Sequence, residues 1–201
     1  MNDRVFAEVC RRQYVAALEM LRNAIERCPA ALWDRREATE APFWQHALHV
    51  LFYARLYLLP TIDGVEATEN AAGVMRELGS PLKDWSDEEV ARLARTMAGL
   101  CDAAFRPVAT VPRQQMMERL AATEDACEQA FEQVGAGSGE ARNPMPWLSG
   151  TRADLLLYNL RHIQHHVGRL HSILGRAGIR LEWVGGLSRT TPWAICDRME
   201  P

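Results

Sequence analysis

A chain of 201 residues that is 48% hydrophobic has enough apolar side chain for one sizeable core, so a single domain over residues 1–201 is expected. A formal net charge of −3 gives no electrostatic basis for binding nucleic acid or an anionic membrane, and no apolar run is long enough to span a bilayer. The five cysteines (Cys10, Cys28, Cys101, Cys127 and Cys196) are odd in number, scattered and without a Cys-x-x-Cys pair, which argues against a disulfide framework or a thiolate zinc site. The N-terminus has no continuous apolar block with a cleavage site, so a reduced cytoplasm is the expected location.

Helical periodicity dominates the chain, and no stretch alternates with period two for long. The first helix is predicted from about Arg4 to Arg27, with Phe6, Cys10, Tyr14, Ala17, Leu18, Leu21 and Ile25 on its apolar face and Pro29 as its stop. The second runs from Pro42, which suits a first-turn position, to Leu59 before Pro60. Between residues 61 and 111 the pattern is less regular. A short helix around Glu66–Leu78 and a helix from Ser86 to about Ala104, opened by the Ser86/Glu89 capping box, are expected there.

Pro112 opens a long amphipathic helix to about Val134, through Met116, Met117, Leu120, Cys127 and Phe131. A flexible connection with Gly135, Gly137, Gly139 and Pro144 follows. The last long helix begins near Thr151, with Asp154 as capping partner, and ends around Arg176 before Gly178. The tail over residues 179–201 is expected to lie on the bundle, because Trp183 and Trp193 would otherwise face water. Four long helices and an accessory fifth predict an all-α bundle with one long crossover connection.

All six histidines fall in two of these helices: His46 and His49 in the second, His162, His165, His166 and His171 in the last. His162 and His166 are four apart, so they stack one turn apart on one helical face, where their rings can converge on a single ion. Leu155 and Ile173 share that face, with Asn159 and Leu170 beside it, which points the pair toward the core margin. His165 falls on the other side with Tyr158, Arg161 and Arg176, facing solvent or a partner, and His171 is also off the pair's face. A third ligand from another helix makes a tighter site. His49 is the better candidate, because it shares a face with Gln45, Phe52, Tyr53 and Leu56; His46 is an alternative ligand or a group behind the ligands.

Two segments carry a family resemblance. One is Pro-Phe-Trp-Gln-His-Ala-Leu-His-Val-Leu-Phe-Tyr-Ala-Arg at residues 42–55, and the other is Leu-Tyr-Asn-Leu-Arg-His-Ile-Gln-His-His-Val-Gly-Arg-Leu at residues 157–170. With them the chain resembles the DinB-like (DinB/YfiT-type) family of metalloenzymes, whose hallmark is one histidine on the second helix and a His-x-x-x-His pair on the last. The resemblance implies His49, His162 and His166 as ligands of a divalent ion such as nickel or zinc. It also implies an up-down-down-up four-helix bundle and a homodimer. Relatives include thiol-dependent transferases and an isomerase that use a low-molecular-weight thiol such as bacillithiol or mycothiol. Arg169 stands where relatives commonly carry glutamine, at a position suited to touching substrate or the dimer partner.

Three neutral nitrogen ligands leave a position open for substrate or water, as in catalytic metal sites. Imidazoles suit zinc, nickel, copper or iron alike. Together with the resemblance, which supplies the thiol, this makes a metal-dependent transferase joining a small thiol to an electrophile the leading expectation. Gln45, Tyr53, Asn159 or His46 would orient ligands or substrate, and Arg169 would contact substrate. A metal-dependent hydrolase is less favoured, since no carboxylate falls on the histidine face. A non-catalytic metal-binding or dimeric stress-response module is the third reading.

Overall fold

The computed structural model describes residues 3–36, 41–58, 110–132, 139–145 and 148–185. The helices expected around Glu66–Leu78 and Ser86–Ala104, the tail beyond Gly185, and Trp147, Trp193, Cys101 and Cys196 lie outside the described residues. Five α-helices and no strand occur among the described residues: α1 (Asp3–Arg27), α2 (Ala30–Trp33), α3 (Phe43–Leu58), α4 (Arg113–Glu132) and α5 (Arg152–Arg176). None of the described helices is long and apolar enough to cross a membrane.

Helix α1 buries Cys10, Tyr14, Ala17, Leu18, Leu21 and Ile25, the predicted stripe, while Phe6 is only partly covered. Pro29 ends it, as its ring and missing N–H require, but the same proline also serves as N-cap of α2, a short helix that periodicity does not signal. Tertiary contacts hold this turn: the Trp33 indole donates to the Val111 carbonyl at 2.9 Å, and the Arg113 guanidinium sits 5.3 Å from the Trp33 ring centre. Arg113 also donates to the carbonyl of Cys28.

Helix α3 is covered almost all round, with only Arg55 exposed and Leu48, His49 and Phe52 half-buried. A helix with so little polar face belongs between other elements. Helix α4 presents Met116, Leu120, Thr123, Cys127 and Phe131 at spacings of three and four, a single buried stripe.

Both ends of α5 carry the expected chemistry. The Thr151 hydroxyl accepts from the Asp154 N–H while the Asp154 carboxylate accepts from the Thr151 N–H, a reciprocal capping box. At the C-terminus Gly178 takes φ +77, and the N–H groups of Ile179 and Gly178 bond the carbonyls of Leu174 and Gly175. That pair of bonds is the Schellman pattern, and only glycine adopts its left-handed position without strain.

Helices α1 and α3 each pack against both α4 and α5. Along the α3–α5 contact the pairs descend α3 as they ascend α5: Arg152 with Tyr57 and Leu58, Asn159 with Ala54, His162 with His49. The two helices therefore run antiparallel. Between α1 and α5 the Tyr14 hydroxyl donates to the Leu156 carbonyl at 2.6 Å, and His171 Nε2 lies 3.4 Å from the Met20 carbonyl. Arg11–Glu128 and Arg22–Glu124 ion pairs tie α1 to α4. Trp44 is fully buried and donates to Asp34 Oδ1 at 2.7 Å. Trp183, expected to be covered, is instead 71% exposed.

Candidate metal centre

Helices α3 and α5 bring His49, His162 and His166 together at the core margin, with one ligand atom from each lying within 4.8 Å of the others. His49 Nε2 is 3.1 Å from His162 Nε2. Ring centres are 5.1 Å apart for His49–His162, 4.4 Å for His49–His166 and 4.6 Å for His162–His166. His162 and His166 meet because they are one turn apart on α5. His49 reaches them because it is among the half-buried residues of α3.

Burial is the first cause of the electrostatics here. It lowers the His49 pKa to about 4, assisted by His162, His46 and Arg169. Burial, then His165, brings His162 to about 4, and burial with the neighbouring histidines brings His166 to about 3. All three imidazoles are therefore neutral at pH 7, the form in which nitrogen lone pairs bind metal.

The donor set fits a divalent ion. Two nitrogens bound to one ion at ~2.0–2.1 Å stand roughly 2.9–3.4 Å apart for right-angled to tetrahedral geometry, and the His49–His162 separation falls in that range. The buried Nδ1 of His166 has no hydrogen-bond partner, a cost that an ion on that atom offsets; Nδ1 of His162 is also unpartnered, and an ion on its Nε2 leaves it so. Among the described residues, no carboxylate or thiol joins the group.

The other residues singled out from sequence are distributed around this centre. Gln45 and His46 are buried in the first turn of α3, just before His49. The Tyr53 ring lies 4.8 Å from that of His49 and 5.3 Å from that of His162. Asn159 is fully buried, but its amide donates to the Ala54 carbonyl at 3.0 Å, so it grips α3. Arg169 is exposed, with its charge close enough to His49 to oppose protonation there. His165 is exposed, although its ring is 4.9 Å from that of His166, and His171 turns toward α1.

Two aromatic neighbours were not singled out for the site. Tyr57 and Tyr158 each place a ring 6.4 Å from His162, the Tyr158 ring at 12° to it, and they touch each other at 5.6 Å. Sequence reasoning set Tyr158 on the solvent side with His165; it is 38% exposed and still flanks His162. The signal was present in the spacing: Tyr158 precedes His162 by four residues, and Tyr57 follows Tyr53 by four.

Against known families, the model of the DinB superfamily matches residues 13–170, most of the chain and all three histidines. The chain belongs to the DinB superfamily. No curated protein and no solved structure gives a match. In this DinB-superfamily chain the matched region takes in α3, α4 and all of α5 that carries the cluster.

Proposed function

We propose that this DinB-superfamily protein is a metal-dependent transferase that joins a low-molecular-weight thiol to an electrophilic small molecule. In this reading a divalent ion, zinc or nickel, is held by His49, His162 and His166. The observation that carries it is the convergence of three neutral imidazoles from two helices with no fourth protein ligand among the described residues. Such a centre keeps a position open. A divalent ion held there supplies Lewis acidity, which lowers the pKa of a thiol or water at that position toward neutrality.

The chain's own residues supply the rest. Burial keeps the three rings unprotonated, and Tyr53 and Tyr57, both buried, exclude water from one side of the cluster. Arg169, exposed and three residues beyond His166, would pair with a carboxylate on the thiol. The fold of this reading is an up-down-down-up four-helix bundle of α1, α3, α4 and α5. The antiparallel α3–α5 contacts and the ascending α1–α5 pairs, Tyr14 with Leu156 and Met20 with His171, support it. A homodimer, by family likeness, and a reduced cytoplasm, by the scattered cysteines, complete the proposal.

The test is to incubate zinc- or nickel-loaded protein with bacillithiol, mycothiol or glutathione and a generic electrophile, and to follow thiol consumption. A rate above background that His49→Ala abolishes supports the reading. Background rates with every thiol would overturn it.

The lack of a carboxylate in the cluster, among the described residues, counts against a hydrolase, which needs a base beside its water. The same observation favours a second reading, in which the ion pins α3 to α5 without turnover in a binding or stress-response module. Chelation separates the two. Loss of turnover with little change in Tm supports the transferase, whereas a large fall in Tm with no activity to lose supports the pin.

A further inference from the structure

The face of α5 that meets α3 is polar at regular intervals. Arg152, Asn159, His162 and His166 follow one another at spacings of seven, three and four, so they form one row along the helix. The first two members bind backbone of α3. Arg152 donates from Nη1 to the Tyr57 carbonyl at 3.1 Å and from Nη2 to the Leu58 carbonyl at 2.6 Å. Asn159 donates from Nδ2 to the Ala54 carbonyl at 3.0 Å. Tyr57 and Leu58 lie in the last described turn of α3, where a guanidinium complements the negative end of the helix dipole.

We infer that Arg152 and Asn159 are positioning residues for the three-histidine cluster: by gripping the α3 backbone they set the register of α5 against α3, and thereby the distance from His49 to His162 and His166. This rests on the metal reading above and deepens it.

The argument is one of tolerance. Each residue advances a helix by about 1.5 Å. Metal–ligand distances tolerate only about 0.2 Å. A slip of α3 along α5 by a fraction of one residue would therefore withdraw His49 from the other two rings. Apolar contacts from Leu155, Leu156 and Ile163 hold α5 in the core, but hydrophobic attraction has no direction and resists sliding weakly. Hydrogen bonds to carbonyl oxygens weaken steeply with angle and distance, so three of them within about three turns of His162 define a register. Asn159 is itself anchored: it is fully buried, and its amide also neighbours the Tyr14 hydroxyl from α1.

The experiment uses Co²⁺ alone as probe, titrated into metal-free wild type, Arg152→Met, Asn159→Leu, Arg152→Lys and Thr151→Ala, with visible absorption, circular dichroism and Tm read for each. Arg152→Met and Asn159→Leu are expected to stay helical, to bind Co²⁺ at least tenfold more weakly and to show an altered visible spectrum. Arg152→Lys, which keeps one donor, recovers part of the affinity. Thr151→Ala weakens the start of α5 without touching α3 backbone, so Tm falls while affinity and spectrum stay at wild-type values.

Two results would overturn the inference while leaving the metal reading intact. One is wild-type affinity and spectrum in both Arg152→Met and Asn159→Leu. The other is a Thr151→Ala variant that loses as much affinity for the same fall in Tm. Should Arg152→Met fail to fold, Asn159→Leu against Thr151→Ala decides by the same comparison. A wild-type protein that takes up no Co²⁺ overturns the metal reading, and the inference with it.

Discussion

His49 Nε2 and His162 Nε2 stand 3.1 Å apart across 113 positions of sequence. In the metal-free protein this is the separation of a hydrogen bond between two neutral rings, one donating its N–H and the other accepting. It is also the separation of two ligands of a single ion. For this one pair of ligands, sharing an ion needs little change in the spacing of α3 and α5.

Metal content follows directly from that contact. Native protein is expected to carry about one divalent ion per chain, measured by elemental analysis. In His49→Ala and His166→Ala the affinity should fall by more than about tenfold, the loss seen when mere supporting residues of a metal site are removed. Equal metal content in wild type and both variants would exclude this cluster as the site.

Acid sensitivity has a definite sign. The three histidines have pKa values of about 4, 4 and 3 when folded, against 6.5 when unperturbed. Below 6.5 the unfolded chain takes up protons that the folded chain refuses, so folding stability falls with falling pH. Metal-free protein should therefore lose Tm progressively between pH 6.5 and about 4, and His166→Ala should show a shallower loss. A Tm independent of pH over that window would contradict the burial of these rings.

Tyr14 offers a test away from the cluster. It is fully inaccessible, its hydroxyl donates to the Leu156 carbonyl at 2.6 Å, and burial raises its pKa well above the ordinary tyrosine value. Tyr14→Phe should cost about 1 kcal/mol of stability, the net worth of one buried hydrogen bond. Urea unfolding with an unchanged m-value measures it.

The capping box of α5 should behave as an independent unit. Thr151→Ala is expected to cost about 1 kcal/mol. Thermal unfolding and zinc uptake, measured side by side, should show lower Tm and unchanged uptake.

Much of α5 was legible residue by residue. Thr151, Asp154 and Gly178 mark its ends through bonds to backbone only a few residues away, so their chemistry can be read locally. The pairing of His162 with His166 follows from helical spacing in the same way. The α2 turn was not legible, because it depends on Trp33 finding the Val111 carbonyl and Arg113, 78 or more positions downstream. Tyr158 was read as solvent-facing and is 38% exposed; that it also stacks beside His162 shows only with the approach of α3 and Tyr57.

What the amino-acid order determined alone was the helical character of α1, α3, α4 and α5, the two ends of α5, and the restriction of every histidine to α3 and α5. Those properties arise from hydrogen bonds and side-chain spacing within one or two turns. What only the tertiary structure decided was how closely His49, already favoured over His46 by its helical face, approaches the α5 pair. That outcome depends on the rotation and register of α3 against α5, which the bonds of Arg152 and Asn159 to α3 carbonyls report and no local pattern encodes.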